Sequence, residues 1–385
     1  MRTIVLIVSC LLAALAGAQP IVPSPPQVAA EAFILMDART GVVIAESNAD
    51  MQLPPASLTK LMTSYVLANE ISEGRLNRDD TVVISENAWS QNPLFTGSSL
   101  MWIEPGMEVS IADLERGVVI ASGNDATVAV AEHIAGSEGA FAALMNRHGE
   151  TLGLTGTFFV NSHGLPHPEH LTTARDLATL SAAIIERFPE HYSRYAEREY
   201  TFNNIRQYNR NRLLNEDPSV DGLKTGYTRE AGYGLVASAK RGDMRLVSVV
   251  MGTRSTTVRK NETRGLLNYG FRFYETVPLL TAGAELEKPR IWKGAQDYVS
   301  VGVTDELVLT LPRGKRRDLQ QQVALEEDIL APLAVGDVVG QLTLMLDGEV
   351  QHQVPVVALE PVAAGGFLAG LWDTWLMWIA RLFGA

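Results

Sequence analysis

A serine and a lysine stand three positions apart in the stretch P-P-A-S-L-T-K-L-M-T, residues 54–63, at Ser57 and Lys60. Helix residues three apart lie on one face, so a helix beginning here brings the hydroxyl beside the amine. A serine becomes a strong nucleophile when a base takes its proton, and a lysine serves as that base where burial lowers its pKa. The neighbours Leu58 and Leu61 favour burial. The pair is either a nucleophile with its base or an accident of packing.

Two further polar clusters bear on this choice. Residues 120–125 read I-A-S-G-N-D, with Ser122 and Asn124, and residues 222–227 read G-L-K-T-G-Y, with Lys224 first in the K-T-G triplet. S-x-x-K, a Ser-x-Asn element and K-T-G occur in this chain order in penicillin-recognising serine acyl enzymes. The three elements together predict acyl transfer through a covalent serine intermediate.

The residue types suit the steps of such a reaction. We predict that Ser122 relays a proton between an amine and the leaving group, and that Asn124 orients a substrate amide. Lys224 supplies a fixed positive charge, and Thr225 a hydroxyl, for a substrate carboxylate. At Gly226 the missing side chain lets substrate lie against the edge of a strand.

An oxyanion formed during acyl transfer needs fixed hydrogen-bond donors. The backbone N–H groups of Ser57 and Tyr227 are the candidates, and each such donor is worth about 10²–10³ in rate. Pro54 and Pro55 favour a helix start, which places Ser57 near the positive end of the helix dipole. Developing negative charge is favoured at that position.

The reactive residues lie on predicted helices and strands. Strands at both ends with helices between them indicate one α+β domain over residues 31–283, whose antiparallel sheet joins the two ends. The predicted helices are Leu58–Glu70, Ile111–Gly123, Ala126–Ala135 and Ala174–Arg187, and the predicted hairpins turn at D-A-R-T-G and K-R-G-D.

The sequence changes character after about residue 283. Short apolar runs are separated by turns such as Asp347-Gly348, which predicts a small all-β domain over residues 284–362. A chain of 385 residues exceeds the usual limit for one core, so two domains are expected. With 46% hydrophobic and 20% charged residues, the composition is that of a globular protein able to bury a large core.

The overall charge argues against one class of partner. A formal net charge of -12 disfavours a broad nucleic-acid footprint, because phosphate binding needs clustered Lys and Arg. The dense basic run R-G-K-R-R at 313–317 is interpreted as an exposed turn, with a patch for anionic partners as the alternative.

Residues 1–18 have the features of an export signal. One positive charge precedes an apolar stretch, and Ala16-Gly17-Ala18 forms a small-x-small cleavage site. The stretch is shorter than the about 20 residues that span a bilayer, so an uncleaved anchor is the weaker alternative, as is a lipoprotein formed at Cys10. Cleavage removes Cys10, the only cysteine, and with it disulfide or thiol chemistry. A Pro-rich leader over 19–30 follows.

Residues 363–385 are predicted to form an amphipathic helix lying in a membrane interface, because apolar residues recur at three- and four-residue steps. Asp373, Thr374 and Arg381 gather on the opposite side, and burying either charge at a bilayer centre costs about 2.5–3.5 kcal/mol, which disfavours a spanning helix. Gly365-Gly366 is interpreted as a hinge; the alternative is that the apolar face packs on the protein's own core. That face comprises Phe367, Leu368, Leu371, Trp375, Trp378, Ile379, Leu382 and Phe383.

These motifs resemble those of a type-5 low-molecular-mass penicillin-binding protein, a D-alanyl-D-alanine carboxypeptidase of the bacterial envelope. The resemblance implies a β-lactamase/transpeptidase-like catalytic domain, with a five-stranded antiparallel sheet between helical layers, then a β-rich domain and a membrane anchor. The motifs that carry it are P-P-A-S-L-T-K-L-M-T, N-P-x-F-x-G-S-S-L-M at 92–101, S-G-N-D-A, H-G-L at 163–165, A-R-D-L-A at 174–178 and V-D-G-L-K-T-G at 220–226.

The resemblance also implies a reaction and its partners. Such an enzyme removes the terminal D-alanine from peptidoglycan pentapeptide stems without a cofactor, and β-lactam antibiotics acylate its serine. Arg210, in Y-N-R-N-R, is implied to help hold the terminal carboxylate. The expected location is the periplasmic face of the inner membrane, with peripheral attachment through the tail. Relatives commonly carry histidine after K-T-G, whereas this chain has Tyr227, which leaves the deacylation rate and its pH profile open.

Three alternatives stand beside this interpretation. His163, His167 and His170 have a spacing that a zinc enzyme uses, but two prolines and a glycine interrupt it, so no metal is expected. A class A-like β-lactamase shares the three motifs but needs a second base, and Glu169-His170 only faintly resembles its signature. A non-catalytic, membrane-bound peptidoglycan-binding protein is disfavoured by the intact serine and lysines.

Overall fold

The computed structural model describes residues 22–383, without the side chains of residues 369 and 380–383. The predicted export signal, residues 1–18, lies outside the described residues, as does the side chain of Arg381. The strands are β1 Ala32–Asp37, β2 Val43–Ser47, β3 Thr81–Val83, β4 Glu108–Ser110, β5 Glu199–Phe202, β6 Ile205–Tyr208, β7 Val220–Thr228, β8 Gly232–Arg241, β9 Met244–Thr253, β10 Tyr274–Leu280, β11 Glu285–Glu287, β12 Val301–Gly302, β13 Leu307–Pro312, β14 Gln320–Leu325, β15 Val338–Leu346 and β16 Glu349–Ala358.

A five-stranded antiparallel sheet, in the order β2-β1-β9-β8-β7, lies at the centre of the larger part of the chain. Both predicted hairpins are present, as β1–β2 and β8–β9, and β1 pairs with β9. The early and late parts of the sequence therefore meet in the middle of the sheet, as the α+β prediction requires. The strand β7, which carries K-T-G, lies at an edge and pairs only with β8 within this sheet.

Helices cover both faces of this sheet. Side chains alternate along a strand, so Val247 and Val249 of β9 join a core with helices on one face, while Leu246 and Val250 join a core on the other. The helices are α1 Lys60–Ser72, α2 Ile111–Arg116, α3 Asn124–Ala135, α4 Glu138–Thr151, α5 Ala174–Arg187, α6 Pro189–Tyr192, α7 Leu213–Glu216, α8 Thr256–Phe273 and α9 Phe367–Phe383.

One helix prediction needs correction. The segment Ile111–Gly123 is not a continuous α-helix, because α2 ends at Arg116 and a π-helical turn occupies Gly117–Ala121. Ser122 then adopts left-handed backbone angles, with φ of 60°. The residues of the π turn are buried and apolar, so the hydrophobic pattern continues through the change of geometry and conceals it.

The β-rich part has its own core. A five-stranded sheet in the order β11-β12-β16-β15-β14 and the pair β10-β13 enclose apolar side chains such as Leu309, Leu342 and Val356. This part contacts the larger sheet through a buried carboxylate, because Asp37 at the end of β1 accepts a hydrogen bond from Thr310 of β13 at 2.9 Å and another from Thr276 of β10.

The helix α9 follows the β-rich part. Among those of its apolar side chains that the structure describes, most are exposed, including Trp375 and Trp378. Among the helices of residues 22–383, none combines the length and the hydropathy needed to cross a membrane.

Candidate active site

Ser57 lies in a turn that leads into α1. A 3-10 turn, Ala56–Thr59, is followed directly by the helix, and Ala56 has a positive φ of 49°. Positive φ is uncommon outside glycine and is maintained only where the surrounding structure enforces it. Ser57 is half-buried and lines a cleft of about 620 Å³. The serine is thus open to a substrate while the backbone around it is fixed.

Lys60 is buried below Ser57. Its Nζ atom lies 3.3 Å from Ser57 Oγ, and it donates hydrogen bonds to Asn124 Oδ1 at 2.6 Å and to the carbonyl oxygen of His163 at 2.7 Å. A neutral amine has two N–H groups and one lone pair, so the two acceptors direct the lone pair toward the serine hydroxyl. Burial, together with the positive charge of Arg210, lowers the pKa of Lys60 to about 7.

Ser122 and Lys224 form a second hydroxyl–amine pair. Lys224 Nζ donates to Ser122 Oγ at 2.8 Å and to the carbonyl oxygen of Thr225 at 3.1 Å. Burial and the nearby charge of Lys60 lower the pKa of Lys224 well below its ordinary value. Because two buried amines repel each other when both are charged, their protonation states are coupled.

The edge strand β7 forms one wall of the cleft, and alternation along it separates the K-T-G side chains. Thr225 and Tyr227 line the cleft, while a Cβ atom at Gly226 would meet Pro55 O at 2.9 Å and Leu58 Cγ at 3.0 Å. The missing side chain of Gly226 thus makes room for the turn that carries the nucleophile. Gly226 also lines the cleft, and room for substrate along this strand stays a prediction.

Arg210 and Tyr227 border the open part of the cleft. Arg210 lines the cleft, and its Nη1 atom donates to Ser99 Oγ at 2.5 Å. Ser99 lies in the loop that precedes Trp102. The ring of Tyr227 is 52% exposed and stacks on Tyr233, with 4.2 Å between ring centroids. The predicted residues from three separate motifs and from Y-N-R-N-R thus surround one cleft.

Sequence reasoning missed two contributors to this site. Arg259 of α8 is buried and donates to the carbonyl oxygens of Gly226 and Gly234 at 3.1 and 3.2 Å, and it lines the cleft. No motif surrounds it in the sequence. The second is the backbone of His163, whose carbonyl oxygen holds Lys60. The H-G-L motif marked that segment without indicating a role.

The three histidines of the zinc alternative have different partners. His170 Nε2 contacts Thr59 Oγ1 at 2.8 Å, and its Nδ1 accepts from the Val160 N–H. His163 Nε2 lies 3.2 Å from Glu138 Oε1, and His167 is exposed. Within residues 22–383 no group of three or more His, Cys, Asp or Glu side chains is placed to hold a metal ion.

The charges of the cleft suit an anionic ligand. Arg210, Arg212, Arg259 and Lys260 line it, and no aspartate or glutamate is among its lining residues in the described part of the chain. Glu169, which faintly resembles the second base of a β-lactamase, is exposed and does not line the cleft. A substrate carboxylate would find several cations here and no opposing carboxylate.

Comparison with known proteins gives consistent matches. The profile of a family described as D-alanyl-D-alanine carboxypeptidase matches residues 19–255, and that of the C-terminal domain of penicillin-binding protein 5 matches residues 274–364. The chain is 46% identical over 363 residues to D-alanyl-D-alanine carboxypeptidase DacC of Escherichia coli (strain K12), covering 94% of this chain and 91% of the relative.

Solved structures agree with these matches. Penicillin binding protein 5 from Haemophilus influenzae superposes with a TM-score of 0.85 at 41% identity, over 89% of this chain and 99% of that protein. Penicillin-binding protein D2 from Listeria monocytogenes, in its ampicillin-bound form, superposes with a TM-score of 0.57 at 28% identity, over 65% of this chain and 100% of that protein.

Proposed function

Because the chain belongs to the D-alanyl-D-alanine carboxypeptidase family, it is a serine-type carboxypeptidase, and we propose that Ser57 is its nucleophile. The observation that carries this proposal is the environment of Lys60. A buried amine with a pKa of about 7 lies 3.3 Å from the hydroxyl, with its N–H groups engaged elsewhere. A base of this pKa accepts a proton near neutral pH.

In the proposed acylation step, Ser57 Oγ attacks the carbonyl carbon between the last two D-alanines of a peptidoglycan stem. The serine proton passes to Lys60 Nζ, and the negative charge on the carbonyl oxygen is met by the backbone N–H groups of Ser57 and Tyr227. When the C–N bond breaks, Ser122 gives its proton to the leaving amine and takes one from Lys224, which lies 2.8 Å away. The proton that Lys60 took from Ser57 then replaces the one lost by Lys224, so Lys60 is neutral and Lys224 is charged again before the acyl-enzyme is hydrolysed. The acyl-enzyme and free D-alanine result.

We propose that the terminal carboxylate of the stem is held by Thr225, Arg210 and the charge of Lys224, with Arg259 behind them. Asn124 has a double role, since its Oδ1 atom accepts from Lys60 while its amide N–H groups remain available for a substrate carbonyl. Water then attacks the acyl-enzyme, with Lys60 as the nearest base. β-Lactams acylate the same serine, and they act as covalent inhibitors because their acyl-enzymes hydrolyse slowly.

Replacement of the nucleophile tests this proposal. The Ser57→Ala variant is expected to release no D-alanine from diacetyl-Lys-D-Ala-D-Ala and to bind no labelled penicillin, because both depend on one acylation step. Ser181→Ala, which removes a hydroxyl buried in α5, is the matched control and should retain both activities. Covalent labelling of Ser57→Ala by penicillin would refute the assignment.

We also propose an arrangement of the chain in the envelope. After an export signal, 1–18, and a leader, 19–30, a catalytic domain, 31–283, and a β-rich domain, 284–362, are followed by a peripheral membrane anchor, 363–385. The strand β10 lies on the catalytic side of this boundary and pairs across it with β13. Exposed Leu371, Trp375 and Trp378 on α9 support binding at the periplasmic face of the cytoplasmic membrane.

Sedimentation with lipid vesicles tests the anchor. The mature chain should sediment and should resist release by high salt, because apolar burial outweighs charge attraction in this tail. A chain ending near Ala363 should stay in the supernatant and remain folded and active on small peptides. Full-length protein remaining in the supernatant would refute the anchor, as would unfolding of the shortened chain.

A further inference from the structure

The helix α9 presents two different faces. Its outward face carries exposed aromatic and aliphatic side chains, and two of these rings, Trp372 and Trp375, lie 5.0 Å apart. Asp373 and Met377, one helical turn apart, lie on the opposite side, where Asp373 is largely covered and Met377 is buried. The exposed face comprises Phe367, Leu368, Leu371, Trp372, Trp375 and Trp378.

Asp373 binds the helix to the β-rich part. Its Oδ2 atom accepts the backbone N–H of Lys293 at 2.6 Å, and its Oδ1 atom lies 3.3 Å from Arg290 Nη2. The Arg290 guanidinium is itself placed over the ring of Trp292, 4.1 Å from its centroid. The carboxylate thus has both a backbone donor and a cation, and hydrogen bonds to charged groups are among the stronger ones.

The segment that leads into α9 is also fixed, which corrects the interpretation of Gly365-Gly366 as a hinge. The Gly365 N–H donates to the carbonyl oxygen of Lys293 at 2.7 Å, and the Ala295 N–H donates to that of Ala363 at 2.9 Å. A Cβ atom at Gly365 would lie 2.5 Å from Gly294 O. Gly365 therefore permits the close approach of two backbone segments. Of the two adjacent glycines, Gly366 is the one with open space around it.

We propose that α9 is docked on the β-rich part by Asp373, so that its aromatic face forms a membrane-binding surface of fixed orientation. The partner is the boundary between headgroups and acyl chains of a lipid bilayer, which suits a face rich in tryptophan. The inference rests on the proposed membrane attachment. Its consequence is that the enzyme meets the membrane at one angle, which sets where the Ser57 cleft lies relative to substrate.

Amide hydrogen exchange of the soluble protein tests the docking directly. In the full-length mature chain, the Gly365 and Ala295 amides should be protected, and Asp373→Ala should speed their exchange by roughly tenfold or more. In the milder Asp373→Asn variant, the exchange rates of these amides should lie between those of the wild type and of Asp373→Ala. Thr374→Ala is the matched control, because that exposed hydroxyl donates to Gly370 O within α9 and so does not join the helix to the β-rich part. Unchanged exchange in Asp373→Ala would overturn the proposal.

Vesicle assays separate this inference from the attachment itself. Asp373→Ala keeps the aromatic face and should still sediment with vesicles and cleave diacetyl-Lys-D-Ala-D-Ala at the wild-type rate. It should cleave stems carried on vesicle lipids severalfold more slowly, since the orientation is lost. Equal cleavage rates of the wild type and Asp373→Ala on vesicle-borne stems would overturn the proposal of a fixed orientation. A wild-type chain with protected amides that does not sediment would instead refute the membrane anchor and leave the docking intact.

Discussion

Asn124 Oδ1 lies 2.6 Å from Lys60 Nζ, so the asparagine that its motif assigns to substrate binding also holds the proposed base. The contact joins the start of α1 to the start of α3, 64 positions apart in the sequence. A neutral amide acceptor fixes the amine without adding a charge that would favour its protonated form. The residue type at this position therefore helps to keep Lys60 able to accept a proton near neutral pH.

Replacing Asn124 by aspartate should raise the pKa of Lys60. An opposite charge in contact favours the protonated amine, typically by 1–3 pKa units, so acylation at pH 7 should fall about tenfold or more and recover partly at higher pH. The measurement is the rate of labelled-penicillin acylation against pH. Asn69→Asp, farther along α1, should leave the profile unchanged. An unshifted midpoint in Asn124→Asp would contradict the role of this contact.

The wild-type acylation rate should rise with pH through about 7. Lys60 must be neutral to act as a base, and burial lowers its pKa to about that value, so the active form is lost as the pH falls below it. Lys60→Arg should fail at every pH up to 9, because a guanidinium stays protonated. Stopped-flow measurement of the acylation rate against pH checks both expectations. A wild-type rate in Lys60→Arg would show that Lys60 is not the base.

Gly226→Ala should slow acylation while the protein stays folded. The added Cβ would press on Pro55 O and Leu58 Cγ, and overpacking of this kind costs about 1–3 kcal/mol and displaces the nucleophile's turn from β7. Gly265→Ala, in α8, is the matched control because nothing lies within 4 Å of its added carbon. Acylation rates and melting temperatures of both variants check this. Full activity in Gly226→Ala would show that the strand and the turn tolerate the extra carbon.

The proposed catalytic residues could be predicted from the sequence because each stands in a short local pattern. Ser57 and Lys60 are one helical turn apart, and K-T-G lies beside apolar strand residues, so spacing alone predicts their setting. The π turn before Ser122 was not predictable, since the same apolar pattern suits an α-helix. Arg259 was missed because it reaches the cleft from the first turn of α8, and a contact between distant segments leaves no local signal.

Another feature that no local pattern indicates is a buried network beside α1. Glu115 of α2 accepts a hydrogen bond from His191 Nδ1 at 2.5 Å and from Arg78 Nε at 3.3 Å, and His191 Nε2 contacts Ser64 Oγ. Tyr195 donates to the same Ser64 oxygen at 2.7 Å. The network joins α1, which begins at Lys60, to α2, which precedes the Ser122 turn. Its members come together only when the chain has folded, so no local sequence pattern predicts their contacts.

Glu115→Gln should destabilise the protein by about 1–3 kcal/mol at pH 7, because the donors of His191 and Arg78 lose their charged acceptor inside the fold. Burial alone would raise the pKa of Glu115, but the hydrogen bond and charge of His191, together with Arg78, hold it below its ordinary value of 4.5. A carboxyl with a lowered folded-state pKa stabilises the fold above its unfolded pKa, and this contribution is lost as the pH falls through the folded value.

The difference in unfolding free energy between wild type and Glu115→Gln should therefore be greatest near neutral pH and shrink in acid. Urea denaturation between pH 7 and pH 3 measures it, with Glu73→Gln on the exposed end of α1 as the control, where little change is expected. Equal stability of the two proteins at pH 7 would show that the buried network adds nothing to the fold. A difference that grows as the pH falls would mean that the neutral form of Glu115 is the one the network stabilises.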